Sequence, residues 1–216
     1  MEETISCIKL SKSFYCRDLL TVAKELLGKV MVKKNPKNLL TARIVEVEAY
    51  DGDIDKAAHS YGGKTERNRV MFNECGYVYV YLSYGVHHCC NIVTGFKDKG
   101  TAVLIRAVEP LNGLDVMIKN RFGRKLKNDK EIINLTSGPG KVCKALGINR
   151  NHSGIDLTGN KIFLINQPKV KASEIGISKE LVLQNQQTIH GGFILKRINF
   201  YQENENTKKF TYYKNR

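Results

Sequence analysis

Residues 76–91 read GYVYVYLSYGVHHCCN, two strand-forming runs that meet at Ser83-Tyr84-Gly85-Val86. Glycine tolerates the positive φ of tight hairpin turns, so Gly85 marks a hairpin tip and Tyr84 is expected at its apex. Tyr77, Tyr79 and Tyr81 alternate with Val78, Val80 and Leu82. Strand geometry then puts the phenols on one face, expected to form a surface that meets flat rings, and the aliphatics on the other, against a core.

Around the hairpin, residues 17–27 (RDLLTVAKELL) carry a helical apolar stripe ended by Gly28. Residues 29–32 and 41–50 read as strands joined by a polar turn containing Pro36, and the Asp-, Gly- and Lys-rich stretch 51–69 reads as a long functional loop. Residues 101–107 form a further strand, with Pro110 expected to open a helix over 111–121. Ser137-Gly138-Pro139-Gly140 precedes a short helix, KVCKALGI, and residues 161–165 are a short strand. Residues 202–216 are polar and expected to be a loose tail. There is no repeat and no linker, so residues 1–216 read as a single mixed α/β domain with a largely antiparallel sheet.

The chain has 216 residues and a formal net charge of +14, from 35 Lys and Arg against 21 Asp and Glu. Such an excess points to a polyanionic partner, because neutralised phosphates release counterions. In a basic chain the flat rings for a tyrosine-lined hairpin are nucleobases. No run approaches the ~20 apolar residues of a membrane helix, and the opening MEETISCIKLSKSF lacks a signal-peptide pattern, so a reducing compartment is expected. Six cysteines (7, 16, 75, 89, 90 and 143) contain no C-x-x-C pair and read as free, mostly buried thiols.

Glu46, Glu48 and Tyr50 share one face of the 41–50 strand, with Val45, Val47 and Ala49 on the other. Two carboxylates ~7 Å apart on one face are either a solvated strand surface or a source of a general base. His59 lies in the long loop after Asp51, Asp53 and Asp55, where it is a surface histidine, a stacking or phosphate-binding group, or a metal ligand. The D-G-D-I-D run lacks the later ligands of a calcium loop, and the adjacent His87 and His88 point to opposite strand faces; no metal and no cofactor are expected. Arg67, Arg69 and RFGRKLK (121–127) are candidate phosphate contacts or a plain basic surface. Ser137 to Lys141 places backbone N–H groups and a lysine at a helix start, which suits either a phosphate or an ordinary cap.

Taken in order, RIVEVEAY (43–50), AAHS (57–60), RNRVMF (67–72), GYVYVYLSYGVHHCCN (76–91), AVLIRAVEP (102–110) and SGPGKVCKALGI (137–148) resemble the alkyladenine (3-methyladenine) DNA glycosylase family. The likeness runs from about residue 14 to 148 and more weakly to about 200. It implies a curved antiparallel sheet flanked by helices, with a hairpin that enters the minor groove of double-stranded DNA. It implies a monofunctional base-excision repair hydrolase that flips alkylated or deaminated purines (3-methyladenine, hypoxanthine or ethenoadenine) and cleaves the N-glycosidic bond. By resemblance Glu48 is the general base and Arg106 helps hold the attacking water. Tyr50, His59, Tyr81 and Asn91 line the base pocket, and Tyr84 fills the gap left in the duplex. Thr65, Arg67, Val86, His87 and Lys141 are further DNA contacts. A monomer is implied, located in the cytoplasm or nucleoid of a bacterium or the nucleus of a eukaryote.

The chain departs from the family pattern in having Val86 where a methionine is frequent and Glu174 where an arginine is common. Two other classes remain open on residues alone. One is a metal-dependent nuclease or phosphoesterase using Glu48, Asp51, Asp53 and His59. The other is a non-catalytic nucleic-acid binder that uses the tyrosine face as a stacking platform.

Overall fold

The computed structural model describes residues 8–56, 58–177, 191–195, 199–203 and 210–214. Two helices come first, α1 (Lys12–Tyr15) and α2 (Leu19–Leu26); Asp18 caps α2 by accepting a hydrogen bond from the Thr21 amide at 2.9 Å. The strands β1 (Val30–Lys34), β2 (Leu39–Asp51), β3 (Val78–Ser83), β4 (His87–Thr94) and β5 (Thr101–Asn112) follow. Next come α3 (Leu114–Phe122), α4 (Asp129–Ile133), α5 (Pro139–Leu146), β6 (Ile162–Ile165), β7 (Ile175–Ile177) and β8 (Gly191–Leu195). Among these strands every pairing is antiparallel, in the order β3-β4-β5-β2-β1-β6, with β8 also lying against β2 and β7. The curved sheet and its flanking helices make a mixed α/β fold.

One sheet face buries the aliphatic core. Leu40, Ala42, Ile44, Val47 and Ala49 of β2 pack there with Val103, Ile105 and Val108 of β5, under α2 and α5. The order of these residues breaks the two-residue period: 40, 42 and 44 face the core, and then 47 and 49 do. The cause is a pair of register shifts. Ile44 pairs with Val108, Glu46 with Ala107 and Val47 with Ile105, so Val45 on β2 and Arg106 on β5 each stand outside the ladder. These are two compensating bulges, and a bulge turns a strand over by one residue. Without them a strand with Ile44 in the core would send Glu46 and Glu48 there too. At the same point β2 exchanges neighbours, its pairing to β1 ending at Arg43 and its pairing to β8 beginning at Glu46.

Three expectations need correction. Pro110 does not open a helix: β5 runs through it to Asn112, and the helix starts at Leu114 after Gly113. The fixed φ of proline fits extended backbone, and Pro110 stands beside a further register shift, between Thr41 and Ala42, where the regular ladder is already interrupted. Second, the tail is not loose throughout, since β9 (Asn199–Glu203) and β10 (Phe210–Lys214) pair as an antiparallel ribbon. Third, Cys16 and Cys75 are not free thiols. The fold brings their Cα atoms to 5.1 Å across 59 residues of sequence, and they form a disulfide. Cys89, Cys90 and Cys143 are free and buried, and Cys7 lies outside the described residues.

Candidate active site

The β3–β4 hairpin turns as its glycine requires. Tyr84 (φ 49°) and Gly85 (φ 70°) are both left-handed, and the Val86 amide donates to the Ser83 carbonyl at 3.0 Å. Left-handed backbone costs a tyrosine on the order of 1–3 kcal/mol and persists where a site has a use for it. Here it holds the Tyr84 ring 96% exposed, with Val86 70% exposed beside it. Water is a poor solvent for both side chains, so the tip is built for contact rather than for folding.

Behind the tip, the tyrosine face is not the open surface expected from the alternation. Residues 58–72 fold over it, and Tyr79 is buried with Met71, Phe72, Val93 and Ala102. This cover is tied down at several points. The Asn68 amide donates to the carbonyls of His59 (2.8 Å) and Gly63 (2.9 Å), and Ser60 Oγ donates to the Gly100 carbonyl at 2.5 Å. A side chain at Gly100 would strike Ser60 Cβ at 2.7 Å, so the close approach needs glycine there.

Under the cover lies a small pocket of about 50 Å³ lined by Tyr50, His59, Met71, Tyr79, Tyr81 and Asn91. The sequence-derived pocket residues Tyr50, His59, Tyr81 and Asn91 therefore meet in one place. His59 sets its edge against Tyr81, with centroids 4.1 Å apart and planes at 77°, and shares a 3.3 Å hydrogen bond with the Tyr79 hydroxyl. Burial, and then the charge of Arg67, lower the His59 pKa, favouring neutral imidazole. Asn91 donates one amide N–H to the Tyr79 carbonyl at 3.2 Å, which leaves its second N–H and its oxygen for a ligand edge. Burial, followed by the charge of Glu48, raises the Tyr50 pKa; burial and the nearby Cys89 raise that of Tyr81.

Glu48 is buried on the same face as Tyr50. Tyr50 donates to its Oε2 at 2.7 Å, and Arg106 Nη1 meets its Oε1 at 2.9 Å. Alternation from Leu104, which pairs with Glu48, puts Arg106 on this face, and its Nε also reaches Glu46 Oε1 at 3.2 Å. Each carboxylate oxygen retains a lone pair for one more donor, so Glu48 can accept a hydrogen bond, and then a proton, from a water molecule. Among the described residues no three His, Cys, Asp or Glu side chains are grouped to hold a metal ion; Glu48, Asp51, Asp53 and His59 form no such set.

The expected outer contacts fall on either side of the hairpin. On one side the exposed Arg67 reaches the Leu82 carbonyl at 3.4 Å, near Thr65, whose amide donates to Asn68 Oδ1. On the other, Tyr84, Val86 and His87 face Lys141, Lys144 and Arg121 across a cleft of about 580 Å³. Lys141 is held by Asn134 (3.0 Å) and Ser137 (3.2 Å) at the start of α5. Sequence reasoning missed Met71 as a pocket wall and Asn68 as the organiser of the cover. An asparagine between two arginines, followed by three consecutive apolar residues in RNRVMF, gives no periodic signal for either role.

An aromatic pocket whose Tyr50 is hydrogen-bonded to an ion-paired carboxylate, beside a hairpin that holds a tyrosine out in solvent, suits an enzyme that works on one base of a duplex. The class is the DNA glycosylases. A family model for methylpurine-DNA glycosylase matches residues 13–205. The chain is 51% identical over 160 residues (73% of the chain, 79% of the relative) to a candidate 3-methyladenine DNA glycosylase of Alkaliphilus oremlandii. It is 47% identical over 176 residues (78% and 87%) to one of Clostridium novyi, and 46% over 177 residues (78% and 87%) to one of Desulfitobacterium hafniense. The chain belongs to the methylpurine-DNA glycosylase family. No helix among the described residues is long and apolar enough to cross a membrane.

Proposed function

We propose that this chain is a monofunctional base-excision repair enzyme that flips an alkylated or deaminated purine out of duplex DNA and hydrolyses its N-glycosidic bond. On this reading it acts as one domain and as a monomer, at the nucleoid, and 3-methyladenine, named for its relatives, is the first substrate to test. The observation that carries the reading is Glu48, held between Arg106 and Tyr50, the latter a wall of the aromatic pocket.

A base inside a duplex is out of reach, and extruding it costs a few kcal/mol. Tyr84 offsets that cost by filling the vacated stack, with Val86 and His87 beside it in the groove. Lys141 on one side and Thr65 and Arg67 on the other hold backbone phosphates. The pocket, at about 50 Å³, is far smaller than a typical ligand cleft of ~300–1,000 Å³, so its walls must part to admit a base. Tyr50, Tyr81 and a neutral His59 then face the ring. Electron-rich faces favour a cationic alkylpurine, and an uncharged imidazole does not repel it. Asn91 meets the base edge and opposes the 2-amino group of guanine.

In the chemical step the water oxygen bonds to C1′ as the C1′–N9 bond breaks. The water proton passes to Glu48, and the bonding electron pair leaves with the purine. A cationic alkylpurine departs neutral and needs no acid. Positive charge developing on the sugar is stabilised by the carboxylate.

The test is Glu48→Gln on a panel of lesion duplexes. Excision should be lost while lesion binding is retained, and the wild-type product should be an abasic site cut only after alkali. A variant that excises at the normal rate would remove Glu48 from the mechanism.

A further inference from the structure

Arg106 meets two carboxylates, and only one of them has been given a task. Its Nη1 lies 2.9 Å from Glu48 Oε1, and its Nε lies 3.2 Å from Glu46 Oε1. We propose that Glu46 is a positioning residue that fixes the Arg106 guanidinium and, through it, the orientation of the Glu48 carboxylate.

Arg106 stands at the β5 bulge, where its side chain reaches both Glu46 and Glu48 on the neighbouring strand β2. A guanidinium is planar, and contacts at two of its nitrogens fix the plane, where one contact leaves it free to swing. Glu46 pairs with Ala107, next to the bulge, and shares the Glu48 face of β2. Its side chain is 16% exposed and that of Arg106 26%, so the pair is more shielded than a surface ion pair and correspondingly less screened. Tyr50 holds the other oxygen of Glu48. Glu46, Arg106 and Tyr50 thus act in sequence on one carboxylate, and an orientation error there is expensive because a misplacement of ~1 Å can cost ~100-fold in rate.

This inference rests on Glu48 being the base, and the experiment separates the two ideas. Single-turnover excision and lesion-duplex affinity are measured for Glu46→Gln, Arg106→Gln, their double variant and Glu48→Gln. Glu46→Gln should slow excision by roughly 10- to 100-fold and leave affinity within about twofold of wild type. In the Arg106→Gln background the same change should cost no more than about twofold, because the group it orients is already gone. Equal losses in both backgrounds, a loss confined to affinity, or a wild-type rate would each overturn the proposal. If Glu48→Gln is inactive while Glu46→Gln is normal, only the positioning role fails; if Glu48→Gln is active, the base assignment fails. Should Glu46→Gln not fold, Glu46→Asp, which keeps the charge and withdraws it by one methylene, reads the same cycle.

Discussion

The two faces of β2 carry the same strand to opposite ends. One face presents Ile44, Val47 and Ala49 to an aliphatic core sealed by α2 and α5. The other carries Glu46 and Glu48, ion-paired with Arg106, and Tyr50, which lines the aromatic pocket under residues 58–72. The first buries side chains without polar atoms and asks only for volume. The second buries charge and hydroxyl groups, which is costly unless each finds a partner, and here each carboxylate has one. Stability and chemistry are therefore separated by a backbone's thickness, and mutations should sort by face.

The largest effect belongs to the pocket face. Glu48→Gln should slow excision by ~10²–10⁴-fold, about 3–5 kcal/mol of transition-state stabilisation, with little change in melting temperature. A large loss of stability with a proportional loss of activity would erase the distinction between the faces. On the core face, Ile44→Ala should destabilise the fold by roughly 2–5 kcal/mol in denaturant titrations, while the excision rate per folded molecule stays unchanged. A rate defect in the folded fraction would show that the core side also tunes the site.

The hairpin tip tests the outer edge of the pocket side. Tyr84→Ser should weaken binding to a paired lesion by ~1–3 kcal/mol, the scale of one base–aromatic stack, and hardly alter binding to a lesion already unpaired. Equal losses on both substrates would contradict a wedge. The smallest expected effect concerns His59. Its pKa is lowered, so the imidazole becomes cationic only as pH falls below its usual value. Affinity for a cationic alkylpurine lesion should then drop by about two- to fivefold, against no drop for a neutral lesion, and His59→Gln should flatten the difference. A pH response that survives His59→Gln belongs to another group.

The sequence was most legible where one local rule decided the outcome. The stripe at 19–26 made a helix and Gly85 made a turn, and Tyr50, His59, Tyr81 and Asn91, named from the family resemblance, line one pocket. It was least legible where distant segments overrule a period. The alternation of Tyr77, Tyr79 and Tyr81 is correct as strand geometry, but nothing local says that Met71 and Phe72 will cover that face. Pro110 reads as a helix start only if the register shift beside it is unseen. Cys16 and Cys75 carry no spacing signal because their meeting depends on tertiary structure. The two bulges leave no compositional trace, since Val45 and Arg106 are ordinary strand residues whose offset shows only against each other.

That offset changes how the strand can vary over time. Upstream of residue 45, β2 answers to β1 and to half of β5; downstream it answers to β8 and to the rest of β5. The joint uncouples the two stretches, much as an expansion gap lets one length of rail creep without buckling the next. Substitutions that resize the scaffold at Leu40 or Ala42 need no matching change at Glu48 or Tyr50, and a lineage can remodel what the pocket accepts while keeping an unaltered interior.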